Sequence, residues 1–113
     1  MSRDIDTLFD LLNAARSACE FLGKCDKNAF SLDRKTQSAV LHQLMLLGEA
    51  TKRLSSGFRE QHSEIPWREI AGFRDRLIHA YDSVDLDMVW NVLHRRLPSL
   101  IKFLELNAPN PER

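Results

Sequence analysis

Apolar residues recur along this chain at steps of three and four, and no segment alternates with period two for long enough to make a strand. Leu8, Leu11, Leu12, Ala15, Cys19 and Leu22 form the stripe of a first helix, with Asp4 or Asp6 as its cap and Gly23 as its left-handed close. Residues 24–33 read as a polar connection anchored by Phe30 and Leu32, and Asp33 caps the next helix. That second helix runs to about Leu54, with Ala39, Val40, Leu44, Leu47 and Ala50 inward. Gly48 lies in its interior, where glycine costs about 1 kcal/mol against alanine, so a close helix crossing is expected there. Ser55-Ser56-Gly57 breaks the pattern, and one short helical turn fits between Phe58 and Ser63.

Pro66 suits the first position of a third main helix, whose stripe is Trp67, Ile70, Phe73, Leu77 and Ala80. The helix should end near Ala80, leaving Tyr81-Asp82-Ser83 as connection and Asp85 as the next cap. A long seam follows: Leu86, Val89, Trp90, Leu93, Leu97, Leu100, Ile101 and Leu104. Pro98 interrupts it and removes a backbone donor, which predicts a kink or a restart. The expected architecture is all-α: an antiparallel bundle of four main helices plus a short extra helical turn. Residues 1–106 make one domain, and 107–113 have no reason to be ordered.

Composition narrows the functional classes. At 113 residues the chain can bury one core, not two. Sixteen basic side chains balance sixteen acidic ones, so nucleic acid can be met only by a local patch, not by an overall basic field. No apolar run or basic-then-apolar leader points to a membrane or to secretion, and the expected location is the cytoplasm. Cys19 and Cys25 read as unpaired thiols. No histidine or carboxylate pair recurs at ligand spacing, so neither a metal nor another cofactor is expected. His42, His62 and His94 read as surface residues, with His94 the alternative proton donor to test.

The third main helix concentrates the chemistry. Arg74 carries a permanent charge in a fork suited to phosphate, His79 can exchange a proton near neutrality, and Tyr81 offers a phenol. Five residues separate Arg74 from His79, or about 140° round an ideal helix, so one chain does not put both on one narrow face. Asp75 stands four residues before His79 and is placed to accept its N–H. Arg68, Arg76, Lys52 and Arg53 widen the basic surface. Taken singly, each residue has a plainer reading. Arg74 pairs with Asp75, Glu69 or Glu49, His79 caps a helix end, and Tyr81 covers the core edge.

Arg74-x4-His79-x-Tyr81 resembles the Arg-x4-6-His motif of HEPN domains, in the extended form of HepT-like toxins. Leu47-Gly48-Glu49-Ala50, Ile65-Pro66-Trp67-Arg68-Glu69-Ile70 and Val84-Asp85-Leu86-Asp87-Met88-Val89-Trp90 fall in the family's order, so the resemblance spans nearly the whole chain. It departs at Asp75, where family members frequently have asparagine and where a carboxylate repels phosphate. The resemblance implies a metal-independent ribonuclease toxin working as a homodimer on RNA. It also implies a partner, an MNT-type nucleotidyltransferase antitoxin that adds AMP to the motif tyrosine, here Tyr81. A second reading, from another class, is a non-catalytic helical module that binds a nucleotidyltransferase or a nucleotide as a scaffold.

Overall fold

A computed structural model describes residues 2–79 and 85–108; the side chains at positions 2, 74, 77, 78 and 79 stand outside that description. Its elements are helices: α1 (Ser2–Leu22), α2 (Lys27–Leu32), α3 (Arg34–Thr51), α4 (Ser56–Gln61), α5 (Trp67–His79), α6 (Leu86–Asn91) and α7 (Leu97–Asn107). A π-helical turn, Val92–Arg96, joins α6 to α7 and makes the pair one long rod. The all-α reading holds, and the four main helices are α1, α3, α5 and the α6–α7 rod.

The stripes turn to one core, with Cys19 and Ala39 only half-buried and with the Leu77 side chain and Ala80 of the α5 stripe outside the described residues. Leu8, Leu11, Leu12, Ala15, Ala18 and Leu22 of α1 meet Val40, Leu44, Leu47 and Ala50 of α3 in one core. Trp67, Ile70 and Phe73 of α5 and Val89, Leu93, Leu97, Leu100 and Leu104 of the last rod complete it. The direction of the chain follows from ties at the helix ends. Asp4 and Asp10 near the start of α1 bond Ser55 and Arg53 at the end of α3, so α1 and α3 are antiparallel. Trp67 stacks near Phe103 while Arg76 reaches Met88, so α5 and the α6–α7 rod are antiparallel too.

Caps explain most of the boundaries. Gly23 has φ of +61°, a conformation that costs glycine little, and its N–H closes α1 on Cys19. Asp33 and Asp85 cap α3 and α6 as expected, accepting from the backbone N–H of Thr36 and Met88. Leu97 N–H bonds the Val92 carbonyl, five residues back, just before Pro98. A proline has no N–H for an α-type bond to residue 94, so the π turn and the restart at Leu97 absorb the break.

Several expectations change. Residues 24–33 are not a plain connection, since Asp26 caps a turn of helix there; Phe30 is buried as expected, but Leu32 is 77% exposed and anchors nothing. Pro66 stands one residue ahead of α5, its carbonyl taking the Ile70 N–H. The short α4 begins at Ser56, with Ser55 as its cap, and not at Phe58. In the last seam Leu86, Trp90 and Ile101 are half-buried, while Val92, three residues after Val89, is buried and belongs to the stripe. His62 is not a plain surface residue: its ring lies 4.5 Å from Phe58 and 5.1 Å from Phe103. The expected ends at Ala80 and Tyr81-Asp82-Ser83, and 109–113 of the tail, lie outside the described residues.

Asp4 also departs from its expected role. α1 begins at Ser2, so Asp4 is inside the first turn, and its carboxylate accepts from the Ser55 backbone N–H at 2.9 Å and from Ser55 Oγ at 2.6 Å. Ser55 Oγ in turn accepts from Phe58 N–H, capping α4. One buried carboxylate thus ties α1 to the α3–α4 corner. The Ser55 hydroxyl and N–H hold its carboxyl below the ordinary 3.8. Because the folded value is the lower one, the stability it contributes is complete above the ordinary value and is lost as pH falls toward the depressed one. Asp4→Ala should cost about 1–3 kcal/mol by urea denaturation near pH 7. The wild-type advantage over Asp4→Asn should shrink as pH is lowered below the ordinary carboxylate value; an advantage that grew on acidification would contradict the assignment.

Candidate functional site

The candidate site is built on α5, and the start of that helix is the most firmly held. Trp67 is buried and its indole N–H donates to the His62 carbonyl at 2.9 Å. Phe58 and Phe103 pack on its ring, and His62 packs on both of them, joining α4, α5 and α7. Ile70 and Phe73 then continue the stripe onto the core. With these three inward, the backbone phase of α5 is set, and the helix runs unbroken through Arg74 to His79.

Both catalytic candidates therefore belong to one continuous helix, at positions about 140° apart around it. The side chains of Arg74 and His79, and all of Tyr81, lie outside the described residues. Asp75 is exposed and its carboxylate stands 3.5 Å from the Lys52 ammonium of α3. The expected support of His79 by Asp75 thus has a second claimant for the same carboxylate.

Three of the four flanking cations, Lys52, Arg53 and Arg76, are also engaged. Arg53 pairs with Asp10 at 2.9 Å, and Arg76 Nη2 donates to the Met88 sulfur at 3.0 Å. Arg68 is exposed on the first turn of α5. Glu69 bonds Arg96 at 3.0 Å, and its expected pairing with Arg74 lies outside the described residues. These pairs are solvent-exposed and each is worth about 0–1 kcal/mol, so an incoming phosphate can displace them. Among the described residues no group of three or more His, Cys, Asp or Glu side chains is placed to hold a metal ion. The two cysteines are free thiols, and burial pushes Cys19 up. Among the described residues no helix is long and apolar enough to cross a membrane.

The sequence reading missed one feature beside the motif helix. His94 lies on Trp90 with ring centroids 4.1 Å apart, at the edge of an open groove of about 600 Å³. The i,i+4 spacing of an aromatic and a histidine was the available signal.

An all-α domain with Arg-x4-His on its third main helix is the arrangement of the HEPN class. The comparisons narrow that class: the family model described as Ribonuclease HepT-like matches residues 11–106. A protein of Thermococcus cleftensis named "Probable ribonuclease HepT" is 42% identical over 95 residues, covering 84% of this chain and 86% of that one. One from Methanocaldococcus jannaschii named "Putative RNase" is 32% identical over 105 residues, covering 92% and 96%. No solved structure matches the chain. This chain belongs to the HepT-like ribonuclease family.

Proposed function

We propose that this protein is an RNA-cleaving toxin, active as a homodimer in the cytoplasm and without a metal. The observation that carries the reading is the continuous helix through Arg74 and His79, inside the span matched to the HepT-like ribonuclease family. Cleavage needs a base for the 2′-hydroxyl proton, an acid for the leaving 5′-oxygen, and a cation for the charge that gathers on phosphorus-bound oxygen. As the 2′-oxygen bonds to phosphorus, the bond from phosphorus to the 5′-oxygen breaks. One imidazole takes the first proton and another supplies the second. The guanidinium of Arg74 clamps two phosphate oxygens.

One chain has one such histidine, so the second proton carrier comes from the equivalent helix of a second copy. Homodimerisation is then part of the chemistry. Control falls to a nucleotidyltransferase antitoxin of the MNT type. Adding AMP to Tyr81 puts a phosphate two residues from His79, where it competes with RNA phosphate for the same cations.

Sedimentation at micromolar concentration should give a dimer, and cross-links between copies should map to α5. A monomer that cleaves RNA would remove the shared-site argument.

His79→Ala and Arg74→Ala should each lower RNA cleavage by at least about a hundredfold, the scale of a lost proton carrier or phosphate clamp. Both changes remove polar side chains and leave the buried Trp67, Ile70 and Phe73 in place, so melting should stay near wild type. Phe73→Ala is the contrast. Phe73 is buried, and its loss should cost about 3–5 kcal/mol. Cleavage should persist in a chelator; activity that vanished there and returned with a divalent ion would refute the metal-free route.

Tyr81→Phe should keep cleavage but escape the antitoxin. Intact mass after co-expression should show added AMP on wild type and none on the variant. Equal modification of both would put the acceptor elsewhere.

A further inference from the structure

The groove beside α6 has a composition that the chemistry on α5 does not use. Trp90 is backed by the buried Phe30 at 5.8 Å, and His94 lies over it at 4.1 Å with the planes 32° apart. His94 makes a second contact with the same residue: its Nδ1 is 2.9 Å from the Trp90 carbonyl. A carbonyl can only accept, so Nδ1 carries the proton and Nε2 is the nitrogen left for a ligand. The remaining lining includes Asn91, an amide that can both donate and accept, and Arg95. Lys27 and Asp87 face each other at 3.0 Å and neutralise one another. Arg95 is exposed and has no acidic partner among the described residues, so the groove keeps one uncommitted positive charge.

Position joins this groove to the motif helix. Arg76, between Arg74 and His79 in the chain, donates to the sulfur of Met88, and Met88 lines the groove. The π turn Val92–Arg96 carries both His94 and Arg95. Such turns are rare and recur at functional sites.

We infer that this groove is a subsite for single-stranded RNA flanking the scissile phosphate. An unpaired base stacks on the exposed face of His94, Asn91 bonds its edge, and Arg95 holds the adjoining phosphate. Stacked aromatic and imidazole rings accept a splayed-out base of any identity, whereas a base inside a duplex has no free face to offer. His94, Asn91 and Arg95 are positioning residues here; the bond-breaking chemistry stays with Arg74 and His79. The inference rests on the ribonuclease reading, but its test separates the two.

Binding is measured by fluorescence anisotropy with the full chain and a short single-stranded RNA methylated at every 2′-oxygen, which cannot be cleaved by attack of that oxygen. Cleavage kinetics are measured on the unmethylated RNA. His94→Ala should weaken binding about tenfold, the scale of one base–aromatic stack, and raise KM with kcat nearly unchanged. His94→Phe should recover most of the affinity because the stacking face is kept. Arg95→Ala should weaken binding of all sequences alike and reduce the slope of log affinity against log salt by about one. A duplex of the same sequence should bind more weakly and show no response to His94→Ala.

If wild type cleaves RNA while all three variants bind and cleave as it does, the subsite is overturned and the ribonuclease reading stands. If wild type binds the methylated strand in this residue-dependent way but cleaves nothing, the ribonuclease reading fails and the subsite stands. If His94→Ala breaks the dimer with RNA affinity per protomer unchanged, the groove is a contact between copies and the inference is wrong.

Discussion

The phase of α5 is the constraint on which the rest depends. Trp67, Ile70 and Phe73 bury one face of the helix, and the Trp67 indole bond to the His62 carbonyl fixes where that face begins. Counting round an ideal helix from Phe73, position 74 lies about 100° away and position 79 about 240° away. Ile70 and Trp67 lie at about 60° and 120° on the same count, so position 74 falls at the Trp67 side of the stripe and position 79 well off it, and they do not coincide. Turning α5 about its axis leaves the roughly 140° between them unchanged and would pull the large aromatics out of the core. Burying such side chains stabilises by about 1.5–3 kcal/mol each, against about 0–1 for an exposed ion pair. The apolar contacts therefore decide, and the polar groups take the positions left to them. The proposal of a site shared by two copies rests on that ordering.

Electrostatics acts within that frame and does not set it. The chain has no net charge, and several of its flanking cations are matched locally: Lys52 by Asp75, Arg53 by Asp10, Arg96 by Glu69, Lys27 by Asp87. Such pairs lower the long-range field that would gather any polyanion, yet each is weak enough to exchange for a phosphate at contact distance. On the proposed reading a strand is then held by close contacts rather than by a general field. Asp4 is the exception among the carboxylates, since it is buried and bonded twice to Ser55, and it contributes to stability in a way the exposed pairs do not.

The sequence was most legible where one force dominates. Stripes such as Leu8-Leu11-Leu12-Ala15 and caps such as Asp33 and Asp85 are local patterns with one cheap solution, and they fell where expected. Gly23 was legible for the same reason. Contacts between residues far apart were not. Nothing near Asp4 in the chain announces Ser55, and Glu69 had several arginines within plausible reach before the fold gave it Arg96. Leu32 misled because an apolar side chain beside a buried Phe30 looks like part of the same anchor, yet the short α2 turns it outward. For the site, the ordered motif on α5 was visible in the residues, while the stacked pair beside it needed the packed structure to be noticed.

Pro98 links these two levels. A missing N–H in the middle of a long helix would ordinarily leave a carbonyl without its donor and force a kink. Here the chain takes the break one turn early, as the π turn that ends at Arg96, and the apolar stripe resumes with Leu97 and Leu100. The rod stays in the core because Val92, Leu93 and Leu97 are all buried across the irregular turn. The residues the turn leaves in solvent are His94, Arg95 and Arg96. One of them stacks on Trp90, one lines the groove, and one reaches Glu69 on the motif helix. A backbone irregularity forced by one residue thus leaves a cationic and aromatic surface on the rod, tied to α5 through Arg96 and Glu69, while the cost of the irregularity is offset by an unbroken apolar seam on its other side.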